Sequence, residues 1–192
     1  MNPFEQMDDY RGLIPALRAE TAPAKALAEW LYEKMGGPRS VIDIGCGVGN
    51  YLLPFQQKGC RVLGVDGCEE AGELIPDHFK RVDLRFPLPD FGKFDLTICV
   101  EVAEHLPEQF ADQLVLTIAN VCSGLALFSA AMPGQVGTHH HNCQPQSYWI
   151  AKFAAHGVVY NLEGTKELQA FLKATVFDCV PWLRDNLMML SR

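Results

Sequence analysis

The sequence predicts an α/β fold built on a doubly wound, mostly parallel sheet, and three observations predict it. The run Val41-Ile42-Asp43-Ile44 passes directly into Gly45-Cys46-Gly47-Val48-Gly49-Asn50, and a helical pattern follows at once. That is a strand, a tight glycine turn and a helix, the arrangement that grips nucleotide-like ligands. A second apolar run, Arg61 to Asp66, ends on an acid. It lies about 20 residues beyond the turn, the separation at which such sheets place a carboxylate against a ribose. Finally, Phe94 to Val100 is almost continuously apolar, as expected of a strand covered on both faces.

The remaining elements fall between these. Leu13, Ile14 and Leu17 make a short apolar pattern that Pro15 interrupts. From Thr21 to Met35, Ala24, Leu27, Ala28, Leu31 and Met35 share one helical face. Thr21 reads as its N-cap, and Gly36-Gly37-Pro38 as its stop. Tyr51 to Lys58 reads as a short helix ended by Gly59, with Pro54 tolerated in its first turn. Phe79 to Leu84 gives a third strand, with prolines at 87 and 89 behind it. Residues 107–120 are helical, with Phe110, Leu114 and Ile118 on one face, and 124–131 form a fifth strand. Ser147 to Ala155 and Thr165 to Lys173 are helices, 157–160 is a sixth strand, and the stretch 180–190 ends in a seventh.

Length and charge narrow the class. A chain of 192 residues fits one domain, here a helical segment over 1–37 and a core over 38–192; the segment reads as packing against the sheet, with a lid over the site as the second reading. The net charge is −7 and the 16 Lys and Arg are scattered, which argues against nucleic acid and anionic membrane surfaces as partners. No apolar run reaches the roughly 18 residues of a membrane span, and the acidic N-terminus lacks a signal-peptide core. A cytoplasmic protein, monomer or homodimer, is expected. The seven cysteines form no C-x-x-C pair and read as reduced, mostly buried thiols.

The chemistry of the turn separates ligand classes. Gly45 permits the sharp turn, and Gly47 and Gly49 permit close approach because they carry no Cβ. Asp43 lies two residues before the first glycine. A dinucleotide would bring a pyrophosphate that this carboxylate repels, whereas S-adenosylmethionine brings an ammonium and a sulfonium that it attracts. The spacing is G-x-G-x-G, not the G-x-G-x-x-G of the dinucleotide fingerprint. The stretch resembles the first motif of class I S-adenosylmethionine-dependent methyltransferases.

The resemblance extends over about residues 25–192. Phe94-Asp95 opens the fourth strand, and Glu101, Glu104, His105 and Leu106 follow it, as in many small-molecule methyltransferases. It implies a Rossmann-like seven-stranded sheet, mostly parallel with an antiparallel last strand. S-adenosylmethionine is the implied cofactor and S-adenosylhomocysteine its product. The implied cofactor residues are Asp43, Gly45, Cys46, Gly47, Gly49, Asp66, Gly67, Asp83, Leu84 and Glu101. Asp66 takes the ribose, Asp83 the adenine amine, and Glu101 the methionine ammonium or an acceptor hydroxyl. The competing reading of Asp66 and Asp83 is that each only forms a turn at a strand end.

The loop from Met132 to Pro145 is the most distinctive stretch, with His139, His140 and His141 among glycines and prolines. A metal site needs three or four converging ligands. Consecutive residues of an extended run alternate sides, so His139 and His141 are the most that converge, and no metal is assigned. A histidine also supplies a general base without tuning, and His140 is the candidate; the third reading is a polar wall of the acceptor pocket. Pro-Gly-Gln, Gly-Thr, one histidine, Asn two residues on, Gln-Pro and then Tyr-Trp is similar to a branch of small bacterial methyltransferases, matching His140 and Asn142. The catalytic candidates are therefore His140, Glu101 and His105, the last with a structural histidine closing the turn as its equal alternative. The substrate-binding candidates are His139, His141, Asn142, Tyr148 and Trp149. Trp182 reads as packing rather than closing the pocket.

The expected function is methyl transfer from S-adenosylmethionine to a small-molecule acceptor, with a hydroxyl, sugar or natural-product oxygen first. No Asn-Pro-Pro-Tyr or Asp-Pro-Pro-Tyr follows the fourth strand, which argues against adenine amino groups. The alternatives are a catalytically silent binding module on the same fold, an NAD-dependent oxidoreductase, and transfer of the cofactor's aminocarboxypropyl group.

Overall fold

The computed structural model describes residues 8–19, 21–175 and 181–192. The helices are α1 (Ile14–Ala19), α2 (Thr21–Lys34), α3 (Leu52–Gln57), α4 (Ala111–Val121), α5 (Gln146–Ala155), α6 (Leu162–Lys173) and α7 (Pro181–Asn186). The strands are β1 (Ser40–Ile44), β2 (Arg61–Asp66), β3 (Phe79–Arg81), β4 (Phe94–Val100), β5 (Cys122–Ser129), β6 (Val159–Tyr160) and β7 (Met188–Ser191). The seven-stranded sheet has the order β3-β2-β1-β4-β5-β7-β6, with β7 antiparallel to both β5 and β6. The expected α/β sheet with a reversed last strand is thus the observed one. No helix among the described residues is long and apolar enough to cross a membrane.

Contacts divide the chain after Leu84 into two compact units. In the first, β1 and β2 run parallel in the register Val41↔Val62, and β2 and β3 in the register Val65↔Lys80. All five residues of β1 are buried, and α2 presents Ala24, Leu27, Ala28 and Leu31 to the core. In the second unit, β4 and β5 pair in parallel and β5 meets β7 as Leu127↔Met189. Phe128 is the hub of this core, with the rings of Trp149 and Phe153 centred 5.3 and 5.0 Å from its own.

Local departures from the sequence reading have simple causes. Pro15 does not interrupt a helix but sits in the first turn of α1, where its missing N–H leaves no bond unmade. Thr21 lies inside α2, and its hydroxyl donates to the Arg18 carbonyl at 3.0 Å instead of capping the helix. Strand β3 stops at Arg81; the Val82 N–H donates to the Asp66 carbonyl, and the chain then turns. Helix α6 begins at Leu162 because the Asn161 side chain accepts from the Gly164 N–H at 2.8 Å, a side-chain N-cap. The tail forms α7 before its strand. The six described cysteines are all free. Cys179 and the side chain of Trp182 lie outside the described residues.

Candidate functional site

The glycine turn is built by the first unit. Gly45, Gly47 and Gly49 all have positive φ, at 79°, 50° and 96°, so each of the three glycines is needed for its backbone and not only for clearance. The Gly45 and Cys46 N–H groups donate to the Val65 carbonyl, at 2.8 and 3.1 Å. Asp66 ties the two loops together: one oxygen accepts from Gly47 N–H at 3.0 Å and the other from Cys68 N–H at 2.9 Å. The turn-forming and ribose-binding readings of Asp66 are compatible, since each carboxylate oxygen has two lone pairs. Gly67 is buried, and its carbonyl accepts from Arg81 Nε at 2.9 Å. Asp83 is half-buried beyond the end of β3, and Leu84 is buried.

Beneath the turn, Asp43 is 2% exposed and its Oδ2 has no hydrogen-bond partner. Burial, and then the Asp66 charge, pushes its carboxyl well above the usual carboxylate range. The Cys46 thiol is pushed up by burial and then by Asp66 and Asp43. Two acids thus lie under one turn, and burial favours the neutral form of each. Helix α1 lies over the turn, with a Leu17 methyl 2.8 Å from where a Cβ on Gly47 would stand. Leu17 and Ile14 join Val48, Cys68, Ala71, Leu74 and Phe79 in one apolar cluster. Asn50 Nδ2 donates to the Leu17 carbonyl, and the pairs Arg11–Glu70 and Arg18–Glu73, each at 2.7 Å, fasten the segment from outside.

The second unit carries the acids and histidines. Glu101, just after β4, is one of two described non-glycine residues with positive φ, at 52°; the other is His139, at 56°. Such strain persists only where surrounding bonds over-determine it. The Glu101 N–H donates to both the carbonyl and the hydroxyl of Ser129, and its carboxylate accepts from Gln135 Nε2 at 3.2 Å and Asn186 Nδ2 at 3.3 Å. Asn186 Nδ2 also donates to Gln135 Oε1 at 2.9 Å, closing a triangle of side chains. Gln135 and Asn186 are absent from the sequence-based candidates. An amide 51 positions from its partner leaves no local pattern.

Glu104 occupies the 3-10 turn Ala103–His105, is 0% exposed, and neither of its carboxylate oxygens has a hydrogen-bond partner. Burial first, then the Glu101 charge, moves its carboxyl up to about 8. Its backbone carbonyl accepts from the His141 and Asn142 N–H groups at 2.8 and 3.0 Å, stitching the histidine loop to this turn. His105 Nδ1 donates to the His139 carbonyl at 3.3 Å, and His140 Nδ1 donates to the Gln135 carbonyl at 3.2 Å. Burial, and then His140, lowers His105 to about 4, so it is neutral at pH 7. The His105 and His140 rings meet edge to face, 5.1 Å between centroids. The Cys143 thiol lies 3.8 Å from His140 Nδ1.

The other candidates disperse. His139 and His141 are exposed, with ring centroids 6.3 Å apart. Asn142 is 3% exposed; its Oδ1 accepts from Gln144 Nε2, and its Nδ2 has no partner. Tyr148 is half-buried under the Lys152 ammonium, with its hydroxyl 3.5 Å from Glu108. Trp149 is 1% exposed and packs in the core.

A glycine turn closing the first strand, an acid ending the second and an acid-bearing turn after the fourth, on a sheet with one reversed strand, define an α/β transferase with a nucleoside-type cofactor. Residues 13–179 match the family model described as a methyltransferase domain, and the chain belongs to the class I S-adenosylmethionine-dependent methyltransferases. It is similar to the ubiquinone biosynthesis O-methyltransferase of Leptothrix cholodnii, 26% identical over 171 residues covering 82% of this chain and 68% of that one. The protein of the same name in Acinetobacter baumannii is 27% identical over 158 residues, covering 75% of this chain and 62% of its own. The magnesium protoporphyrin IX methyltransferase of Synechocystis, solved with bound S-adenosylhomocysteine, shares the fold. Its TM-score is 0.63 at 19% identity, over 90% of this chain and 83% of that one.

Proposed function

We propose that this chain transfers the methyl group of S-adenosylmethionine to a hydroxyl oxygen of a small-molecule acceptor. The observation that carries this reading is the His105–His140 pair beside buried Glu104. Each ring gives its Nδ1 proton to a backbone carbonyl, which in a neutral imidazole leaves Nε2 as the basic nitrogen. A hydroxyl is a poor nucleophile until its proton is taken, so an O-methyltransferase needs such a group and a mere binding module does not. The names of the two relatives favour oxygen as the acceptor atom.

The cofactor supplies a methyl group already activated on a sulfonium. The glycine turn, Asp66, Asp83 and Leu84 hold its nucleoside part, and Glu101 is the carboxylate offered to its ammonium. The fit to a cationic ligand rests on Asp43: its orphaned oxygen and raised pKa are both relieved by positive charge above it. Asp43 acts through its field, being too buried to touch the ligand. Helix α1, resting on Gly47, serves as the cover that excludes water, and His140 accepts the acceptor's proton.

The test is thermal unfolding with S-adenosylhomocysteine, with NAD in parallel, followed by mass spectrometry of a phenol, sugar and amine panel with S-adenosylmethionine. Ligand at 100 times its Kd adds about 2.7 kcal/mol, a rise of roughly 5–10 °C for a domain this size. His140→Ala should keep that shift and lose about 10²–10⁴ in turnover. A shift with NAD alone, or His140→Ala turning over like wild type, overturns the reading.

A further inference from the structure

We infer that Glu104, His105 and His140 form a binding site for one first-row divalent transition-metal ion, of the Zn²⁺, Mn²⁺ or Fe²⁺ class. One ligand-capable atom from each residue lies within 4.8 Å of the other two. The independent observation is Glu104 itself: a carboxylate at 0% exposure with neither oxygen hydrogen-bonded. Buried carboxylates are ordinarily paired, hydrogen-bonded or metal-bound. The surroundings match what metal sites require of their second layer. Both imidazoles give Nδ1–H to backbone carbonyls, the bond that fixes tautomer and ring orientation in metal-ligating histidines. The Glu104 carbonyl in turn holds the backbone of His141 and Asn142, so the two ligand-bearing loops form one frame.

Two imidazoles and one carboxylate select the metal class. Mg²⁺ and Ca²⁺ favour all-oxygen sites, whereas this donor set suits zinc or a 2-His-1-carboxylate centre that keeps positions open. Bonds of about 2.0–2.1 Å in a tetrahedron put ligand atoms about 3.4 Å apart. Side-chain rotations that close the 4.8 Å spread by about 1.4 Å complete the site.

The catalytic role of the metal, unlike its binding, rests on the O-methylation reading. An acceptor hydroxyl takes an open position and loses its proton to solvent. Its oxygen lone pair forms the bond to the methyl carbon, and the C–S bonding pair returns to sulfur. The products are the methyl ether, one proton and the neutral thioether, with the metal unchanged. With metal bound, His140 is a ligand and no longer the base that it is in the metal-free protein, and the metal lowers the hydroxyl's pKa.

Chelator-treated protein is titrated calorimetrically with Mn²⁺ and Zn²⁺, bound Mn²⁺ is followed by electron paramagnetic resonance, and the S-adenosylhomocysteine thermal shift is measured on the same samples. The expected result is one equivalent bound by wild type. Affinity should fall by more than the 10–100-fold that outer-shell partners cost in Glu104→Gln and in His140→Ala, with the thermal shift intact. His139→Ala and His141→Ala should bind as wild type does. No binding by wild type with the thermal shift intact overturns the metal site and leaves the methyltransferase reading standing, with His140 as base. Binding that survives in Glu104→Gln and His140→Ala, or that depends on His139 and His141, also overturns it. Turnover unaffected by chelation removes the catalytic role.

Discussion

Replacing Gly49 by alanine isolates what the glycine turn needs sterically, with Gly59→Ala as its internal control. Both residues sit at positive φ, 96° and 81°, so both substitutions carry the left-handed penalty of about 1–2 kcal/mol. They differ in surroundings. A Cβ at 59 meets nothing within 4 Å, whereas one at 49 stands 2.7 Å from Ile75 Cγ1 and 3.3 Å from its Cδ1. Ile75 is 0% exposed, and overpacking a buried side chain adds about 1–3 kcal/mol. Gly59→Ala should therefore cost about 1–2 kcal/mol and Gly49→Ala about 2–5 kcal/mol. Urea unfolding separates them as a fall in midpoint, with slopes of about 1–3 kcal/mol per molar for a small protein. The S-adenosylhomocysteine shift should shrink in Gly49→Ala only. Equal losses for the two variants would refute the claim that Ile75 locks the turn.

Two further outcomes follow from the same geometry. Asp43→Asn should stabilise the ligand-free protein in a pH-dependent way. The folded pKa of Asp43 is raised, so its contribution is most favourable at low pH and is lost as pH rises from about 4 through the folded value. Each unit of elevation is worth about 1.4 kcal/mol. Urea unfolding should find variant and wild type close at pH 4 and the variant more stable at pH 8, with weaker S-adenosylmethionine binding; a pH-independent difference contradicts it. Gly137→Ala should mimic loss of His140, because a Cβ there would stand 2.2–2.7 Å from the His140 ring atoms. A shift of about 1 Å in such a group costs on the order of 10²-fold in turnover, and wild-type turnover would show that the ring is not held there.

What the sequence made legible, and what it hid, divides along a physical line. Strands β1, β2 and β4 and the turn between the first two announce themselves because runs of β-branched residues and glycines at fixed offsets are local signals. The N-terminal segment is half legible. The apolar faces of α1 and α2 are readable, but the contact of Leu17 on Gly47 depends on where the chain returns. The histidine loop is the sharper case. Alternation along it agrees with the burial: His139 and His141 are exposed and His140 is half-buried. Alternation within the run is silent on partners that lie outside it. The His140 ring meets side chains 35 and 36 positions earlier, on a turn where Glu104 is fully buried without donors. Burial of an unpartnered carboxylate is invisible in a sequence, where Glu-His-Leu reads as a loop with an acid in it. The same is true of Glu101, whose strained backbone is held by Ser129, Gln135 and Asn186. A chain announces the residues it spends on turns and strands. The residues it spends on placing charge where water cannot reach become visible only once the elements carrying them have been brought together.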